Sequence, residues 1–519
     1  MSESNSSLPG LETVPSAAPA KAGPAAPRSL RVKPVDRNQM RMKVVDVERL
    51  IEEDHPARAV WDFVGKLDLS SFEEPIAAVR GVAGRPVWDR RVLVSLWIYS
   101  YSRAIGSARE IARRCQYDPA FQWLTGMEEI NYHTLSDFRV AHEPGLRELF
   151  TDAPGVLSAE GLVSLERVMH DGTKIKACAG ADSFRREERV QARLEAARQQ
   201  VQALEDPPEA QPARQRAARE RGARERQARL EQALEELTKI RESKSRTQAP
   251  ESARVSLTDP QARIMKQSDG GYAPSYNVQV STEASHKIIV GVGVSQSASD
   301  YGELMPAVQR VEENLEKKPA QMVTDGGFTS RQNILDTAAQ GIDLIGSMAE
   351  HNGQAAGQME RRGVAPEFYP PAFTYDAAQN GYRCPAGEIL RPSGTEERPG
   401  VVHYQYRADE KICGPCRFKE QCCPQNASKG RSITRAVEAL PVRAFHEKMQ
   451  TPEAKAIYRQ RGAVAEFPNA WIKEKLGLRQ FRLRGKTKVA MEARWACLTY
   501  NIQQWIRRCW RPRLKVSAG

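Results

Sequence analysis

Three stretches carry side chains that could do chemistry together. In LERVMHDGTKIKA, residues 165–177, a short apolar run reads as a strand that delivers Asp171 at its end, followed at once by Gly172. In QMVTDGGF a second apolar run ends at Asp325, again before a glycine. In YRQRGAVAEFPNAWIK a helical pattern carries Tyr458, Arg461, Glu466 and Lys473. Carboxylates emerging at one sheet edge suit hard cations such as magnesium, which take oxygen ligands, keep several waters and leave room for a substrate phosphate. Two such ions about 3.5 to 4 Å apart activate an attacking hydroxyl and stabilise the leaving oxygen of an in-line displacement. Glu466 and Lys473 are seven residues apart, two helical turns, so a regular helix puts a metal ligand and a phosphate contact on one face. Arg461 can grip a second phosphate through its planar fork, and Tyr458 can stack or donate a hydrogen bond. Taken singly, an aspartate before a glycine is ordinary turn chemistry. Pro468 favours a kink, which makes the seven-residue alignment approximate.

A second group is made of sulfur. Cys384, Cys413, Cys416, Cys422 and Cys423 crowd into one region of a chain with nine cysteines. Cys413 and Cys416 have zinc-knuckle spacing, and Cys384 with Cys422 or Cys423 would complete a tetrahedral thiolate site. A second CxxC is missing, so structural zinc and reduced, unligated cysteines both stay open.

The elements that must position these residues follow from periodicity. Residues 1–40, rich in Pro, Ala and Ser, cannot bury enough apolar surface to offset chain entropy and are expected to be a disordered tail. Residues 41–150 read as a helical domain: an amphipathic stretch over 46–67, a more apolar buried helix over 87–101, and SAREIARRC with a capping box from Ser107 to Glu110. A further helix, beginning near Thr134 or Ser136, is expected to carry Arg139 and His142 outward. With Arg109, Arg113 and Arg114 this could be a helix-turn-helix reader of DNA or a helical packing domain. After the strand at 165–171, residues 184–246 have high helix propensity on both sides of DPPEAQP at 206–212. Leu230, Leu234, Leu237 and Arg241 keep a rough heptad spacing, so two antiparallel helices forming an arm are expected. A hairpin over 276–281 and 287–294, a helix over 300–315, a strand over 319–324, a helix over 330–339 and a strand over 342–345 complete a mixed sheet covered by helices. Residues 348–445 break the regularity with Pro, Gly and Cys. Helices return over 452–475 and 491–510.

The net charge of +12 suggests a polyanionic partner, because neutralised phosphates release condensed counterions. No window approaches the ~18 apolar residues of a spanning helix. The N-terminus has no charged head before an apolar core, so the chain is expected in the cytosol, with no membrane partner.

Taken together, HDGTKIKA, MVTDGGF and YRQRGAVAEFPNAWIK resemble the three catalytic blocks of DDE transposases from bacterial insertion sequences, and the last block resembles that family's Tyr, Arg, Glu and Lys signature. Four residues separate Arg461 from Glu466 where the signature often has three. The resemblance implies an α/β fold: an RNase H-like mixed sheet with flanking helices over 160–347 and 446–512, preceded by the all-α domain, now a DNA-binding one, and interrupted by the helical arm and a Cys-rich insertion over 348–445. It implies that Asp171, Asp325 and Glu466 hold two Mg2+ (or Mn2+) and that Tyr458, Arg461 and Lys473 contact DNA. The implied reaction is strand cleavage and strand transfer at the ends of an insertion sequence. The implied partners are double-stranded DNA, as terminal inverted repeats and target, and a second copy of the chain in a synaptic complex near the nucleoid. Similar cysteine clusters in this branch favour zinc at Cys384, Cys413, Cys416 and Cys422. The rival expectations are an inactive DNA-binding or regulatory derivative and a nuclease that cuts without joining.

Overall fold

The central sheet has six strands: β1 (Arg167–Lys176), β2 (Arg263–Lys266), β3 (Tyr272–Glu283), β4 (Ile289–Ser295), β5 (Gln321–Val323) and β6 (Asp343–Ile345). The order is β2, β3, β1, β5, β6, with β4 also on β3. Pairing is antiparallel from β2 through β3 to β1 and parallel from β1 to β5 and β6. The long β3 takes β2 along its first residues and β4 along its later ones, with an irregularity at Ser281/Thr282, and the sheet curls. This computed structural model describes residues 44–74, 86–204, 212–244, 250–348, 352–425 and 430–517, with Arg37, Met40 and Met42. The expected N-terminal tail and the DPPEAQP break lie almost wholly outside the described residues.

The mixed sheet with flanking helices is the fold class expected, but β1 runs five residues past Asp171. Its antiparallel ladder with β3 continues to Lys176, whereas its parallel pairing with β5 stops at Met169. Asp171 therefore lies mid-strand, where one neighbour has ended. What reads in sequence as a strand end is the end of the partner.

Helices cover both faces. Leu304–Leu315 buries Leu304, Val308 and Val311 in a cluster with Val168 and Val290. On the other side Lys486–Trp505 is stitched to the sheet: the Asn501 amide accepts from Ile289 N and donates to Ile289 O, both at 2.8 Å. The same helix joins the N-terminal helices, because Trp97, Leu149, Trp495 and Ile289 belong to one continuous core within the compact unit Val47–Gly519. In that region Arg90–Ser102 is the buried helix expected, and Ser107 caps Ala108–Cys115 by accepting from Glu110 N. Helix Tyr132–Ala141 is capped earlier than expected, by Asn131. Its Arg139 points inward: only 6% exposed, it donates to Gly106 O and lies 4.6 Å from the centre of the Trp97 ring. His142, expected outward, stacks on Phe72 and Phe138. An aromatic pocket with a free backbone carbonyl outweighs solvation for these two side chains.

Glu187–Gln202 and Ala213–Lys244 lie antiparallel, with Val190 and Leu194 packed against Leu230, Leu234 and Leu237, and with Arg241 paired to Glu187 and Arg198 to Glu231. At their base Phe184–Arg185 pairs with Val255–Ser256. The Cys-rich segment holds a sheet that the sequence reading did not anticipate, a meander of Thr374–Asp376, Gly381–Arg383, Ile389–Arg398, Val401–Arg407 and Ser432–Glu438. Its longest strand is almost wholly solvent-facing and irregular at Pro392/Gly394, so no apolar alternation marks it.

Candidate active site

Asp171 sits low against the sheet, and burial raises its pKa to about 6. The Arg461 guanidinium opposes that rise, the nearby Asp325 carboxylate adds to it, and Asn469 Nδ2 donates to Asp171 Oδ2 at 3.1 Å. Asp325 follows β5 after one residue, Thr324. Its Oδ1 accepts from Gly327 N at 2.8 Å, so it is a turn residue and a neighbour of Asp171 at once. Both aspartates thus stand beside the gap left where β5 stops.

The helix expected over 452–475 is three pieces. Pro452–Arg459 is α-helical, Gly462–Glu466 is one π-helical turn, and Phe467–Glu474 is α-helical again. A π-turn holds one more residue than an α-turn, which accommodates the extra residue between Arg461 and Glu466. Pro468 falls in the first turn of the last piece, where its missing N–H costs little. The π-turn leaves Glu466 61% exposed, its Oε1 3.4 Å from Arg461 Nη2, while Arg461 Nη1 is 3.9 Å from Asp171 Oδ1. Arg461 stands between the two carboxylates. Glu466 does not close on the aspartates: among the described residues no group of three or more His, Cys, Asp or Glu forms a cluster able to hold a metal ion. The reason is that wide turn, which turns Glu466 toward solvent and its arginine.

Lys473 is half-buried on the same helix. Burial lowers its pKa and the Asp171 carboxylate pulls it back up, with Lys174 and Arg479 also in range. Tyr458 packs its ring at the edge of a cluster of Met169, Val323, Ile345 and Ala465 under the sheet.

Sequence reasoning missed two residues. Asn469 lies three after Glu466 and four before Lys473, a helical spacing that could have flagged it. Asp300, in the loop after β4, faces Gly172: a Cβ there would lie 2.6 Å from Asp300 Oδ1, so only glycine admits that carboxylate against β1. Burial disfavours the Asp300 charge, but Asn277 at 2.6 Å, Lys174 at 3.0 Å and Gln279 at 2.9 Å outweigh it and lower its pKa. His170 faces away from Asp171, as strand alternation requires, bonded to Ser281 Oγ at 2.9 Å and Gln279 Oε1 at 2.8 Å. Burial drives its pKa down to about 3, so it is a neutral structural group.

The donor set suits a hard cation at the aspartates. The Asp325 carboxylate raises the cost of the Asp171 charge, and Asn469 Oδ1 has no hydrogen-bond partner although the residue is only 6% exposed. In the insertion, Cys384, Cys413, Cys416, Cys422 and Cys423 all line one small cavity of about 30 Å3. Burial raises the Cys422 thiol to about 12 and raises Cys413 as well, the neighbouring cysteines adding to both. No disulfide joins them.

A curled mixed sheet with the strand order above and acidic side chains where its parallel half begins is an RNase H-like core. Residues 383–506 match the family described as a transposase DDE domain, and residues 45–141 match a transposase domain, DUF772. Glu466 and the cysteines from Cys384 to Cys423 fall within the first match, while Asp171 and Asp325 precede it. Among solved structures, a piggyBac transposase synaptic complex with hairpin DNA is similar at 6% identity over 89% of this chain and 76% of that one, with a TM-score of 0.29, too distant to inform the site. No curated protein matches the sequence. Among the described residues no helix is long and apolar enough to cross a membrane.

Proposed function

We propose that this protein is an insertion-sequence transposase that cuts DNA at the ends of its element and joins the freed 3′ hydroxyl to target DNA. The observation that carries the reading is the largely buried Asp171 carboxylate, beside Asp325 and near Arg461, Asn469 and Lys473, in a chain whose residues 383–506 match a transposase DDE domain. Asp171, Asp325 and Glu466 would hold two Mg2+ or Mn2+, which when bound activate the attacking oxygen and stabilise the leaving one. The chain's own part is positioning. Asn469 fixes the Asp171 carboxylate by its hydrogen bond, Lys473 offers an ammonium to a phosphate, and Arg461 a planar fork. Tyr458 supports the sheet beneath β1 and β5. The helical N-terminal region would bind DNA, and two copies would pair the two ends. A zinc ion held by Cys384, Cys413, Cys416 and Cys422 would fix the insertion, binding with release of the thiol protons that burial now holds.

The test is a magnesium-dependent cleavage and strand-transfer assay on DNA bearing the element's inverted repeats. Wild type should cut and join, while Asp171→Asn, Asp325→Asn and Glu466→Gln should each lose cleavage by about a thousandfold or more yet keep DNA binding. Binding without cleavage by wild type would mean an inactive derivative, and cleavage without joined product a nuclease.

A further inference from the structure

Arg461 is 18% exposed and lies between two carboxylates that the proposed chemistry makes cation ligands, 3.9 Å from Asp171 and 3.4 Å from Glu466. Its charge is permanent, since a guanidinium does not lose its proton in a protein. A divalent cation entering between the same two groups therefore meets a fixed positive charge, and the site gains the metal only as Arg461 leaves it. The side chain cannot leave for nothing, because withdrawing it from Asp171 strips a buried carboxylate of its counter-charge. A DNA phosphate offers the alternative: an anion matched to the fork, arriving beside Lys473, whose positive charge the Asp171 carboxylate favours.

We infer that Arg461 is a positioning residue that balances the carboxylates before DNA arrives and passes to a DNA phosphate on binding, so that DNA and divalent cation bind cooperatively. The π-turn suits this exchange. It gives Arg461 and Glu466 a five-residue reach and leaves Glu466 at the surface, free to turn inward once its arginine has gone. Coupling of this kind is reciprocal: whatever factor DNA adds to the cation's affinity, the cation adds to that of DNA. The inference rests on the reading of Asp171 and Glu466 as cation ligands.

The experiment titrates the full-length protein with Mn2+, reading free Mn2+ by electron paramagnetic resonance, with and without a short DNA duplex. Wild type should bind Mn2+ roughly tenfold more tightly with the duplex, within the usual range for coupled ligands. Arg461→Met should reach that tighter affinity without DNA and respond to the duplex little further. Arg461→Lys, which keeps a charge, should retain most of the coupling. A damaged fold would weaken Mn2+ binding, so a gain is not a folding artefact. The inference is overturned if Arg461→Met binds Mn2+ no more tightly than wild type without DNA, or if wild type shows no coupling. If the Met variant does not fold, Arg461→Gln replaces it, and failure of both makes Arg461 a purely structural partner. Asp171→Asn separates the two levels: undiminished Mn2+ binding in that variant sinks the metal-site reading itself.

Discussion

At Asp171 the protein holds a carboxylate where burial resists its charge, and that has a measurable cost. Its pKa in the fold is about 6 against an ordinary 3.8, so the folded chain binds this proton more tightly than the unfolded one. Stability from this group is therefore full below about pH 4, falls as pH rises through the window to about 6, and stays low above it. The deficit at pH 7.5 is on the order of 3 kcal/mol. In chelator, Asp171→Asn should melt above wild type at pH 7.5, with the gap closing toward pH 4; a variant that melts lower at pH 7.5 would show that the ion pair with Arg461 outweighs burial. Asp171 and Asp325 were legible in the sequence because each follows an apolar run and precedes glycine. Asp300 was not, because its meaning lies in the space above Gly172, supplied by a strand more than a hundred residues earlier. Asn469 was hidden by its place after Pro468, where proline and asparagine together read as a turn.

The element that decides the site is the π-turn Gly462–Glu466. Upstream, Ala454 packs with Val464 and Ala465 under Met169, and downstream Trp471 donates to Gln503 at 2.6 Å, so both flanks are pinned and the extra residue bulges between them. The sequence showed the extra residue but read a continuous helix, because local periodicity cannot reveal that both flanks are fixed by separate partners. Deleting the exposed Ala463 should restore an α-turn, leave Arg461 and Glu466 four apart on one face, and change the melting temperature by only a few degrees. Inserting one further alanine after Ala463 should rotate Glu466 and Asn469 by about 100° from their partners and abolish Mn2+ binding. Equal tolerance of both changes would show that the flanks slide and the turn fixes nothing. The insertion's meander was illegible for the opposite reason, since its longest strand is exposed along most of its length and lacks the alternation that marks a strand.

At the scale of the whole molecule, the helical arm meets the central sheet at Glu236. Glu236 on Ala213–Lys244 is 2% exposed, receives Lys239 Nζ at 2.9 Å and Gln296 Nε2 at 3.1 Å, and pairs with Arg263 of β2. Those bonds outweigh the burial that resists its charge, and its pKa lies below the ordinary value. The arm's own apolar contacts, Val190 with Leu237 and Leu194 with Leu230, hold its two helices to each other and to its base rather than to the sheet. Glu236→Ala should therefore strand Arg263 and cost about 3 kcal/mol, as removing one partner of a buried pair does. Because Arg263 sits in register, through Ser275, with Lys176, five residues along β1 from Asp171, the expected signature is local: faster amide exchange across Glu187–Gln202 and Ala213–Lys244 with Mn2+ affinity unchanged. Exchange that rises equally in β1 and β3 would mean that arm and core unfold as one unit, and exchange unchanged everywhere would mean that apolar packing at the base suffices to seat the arm.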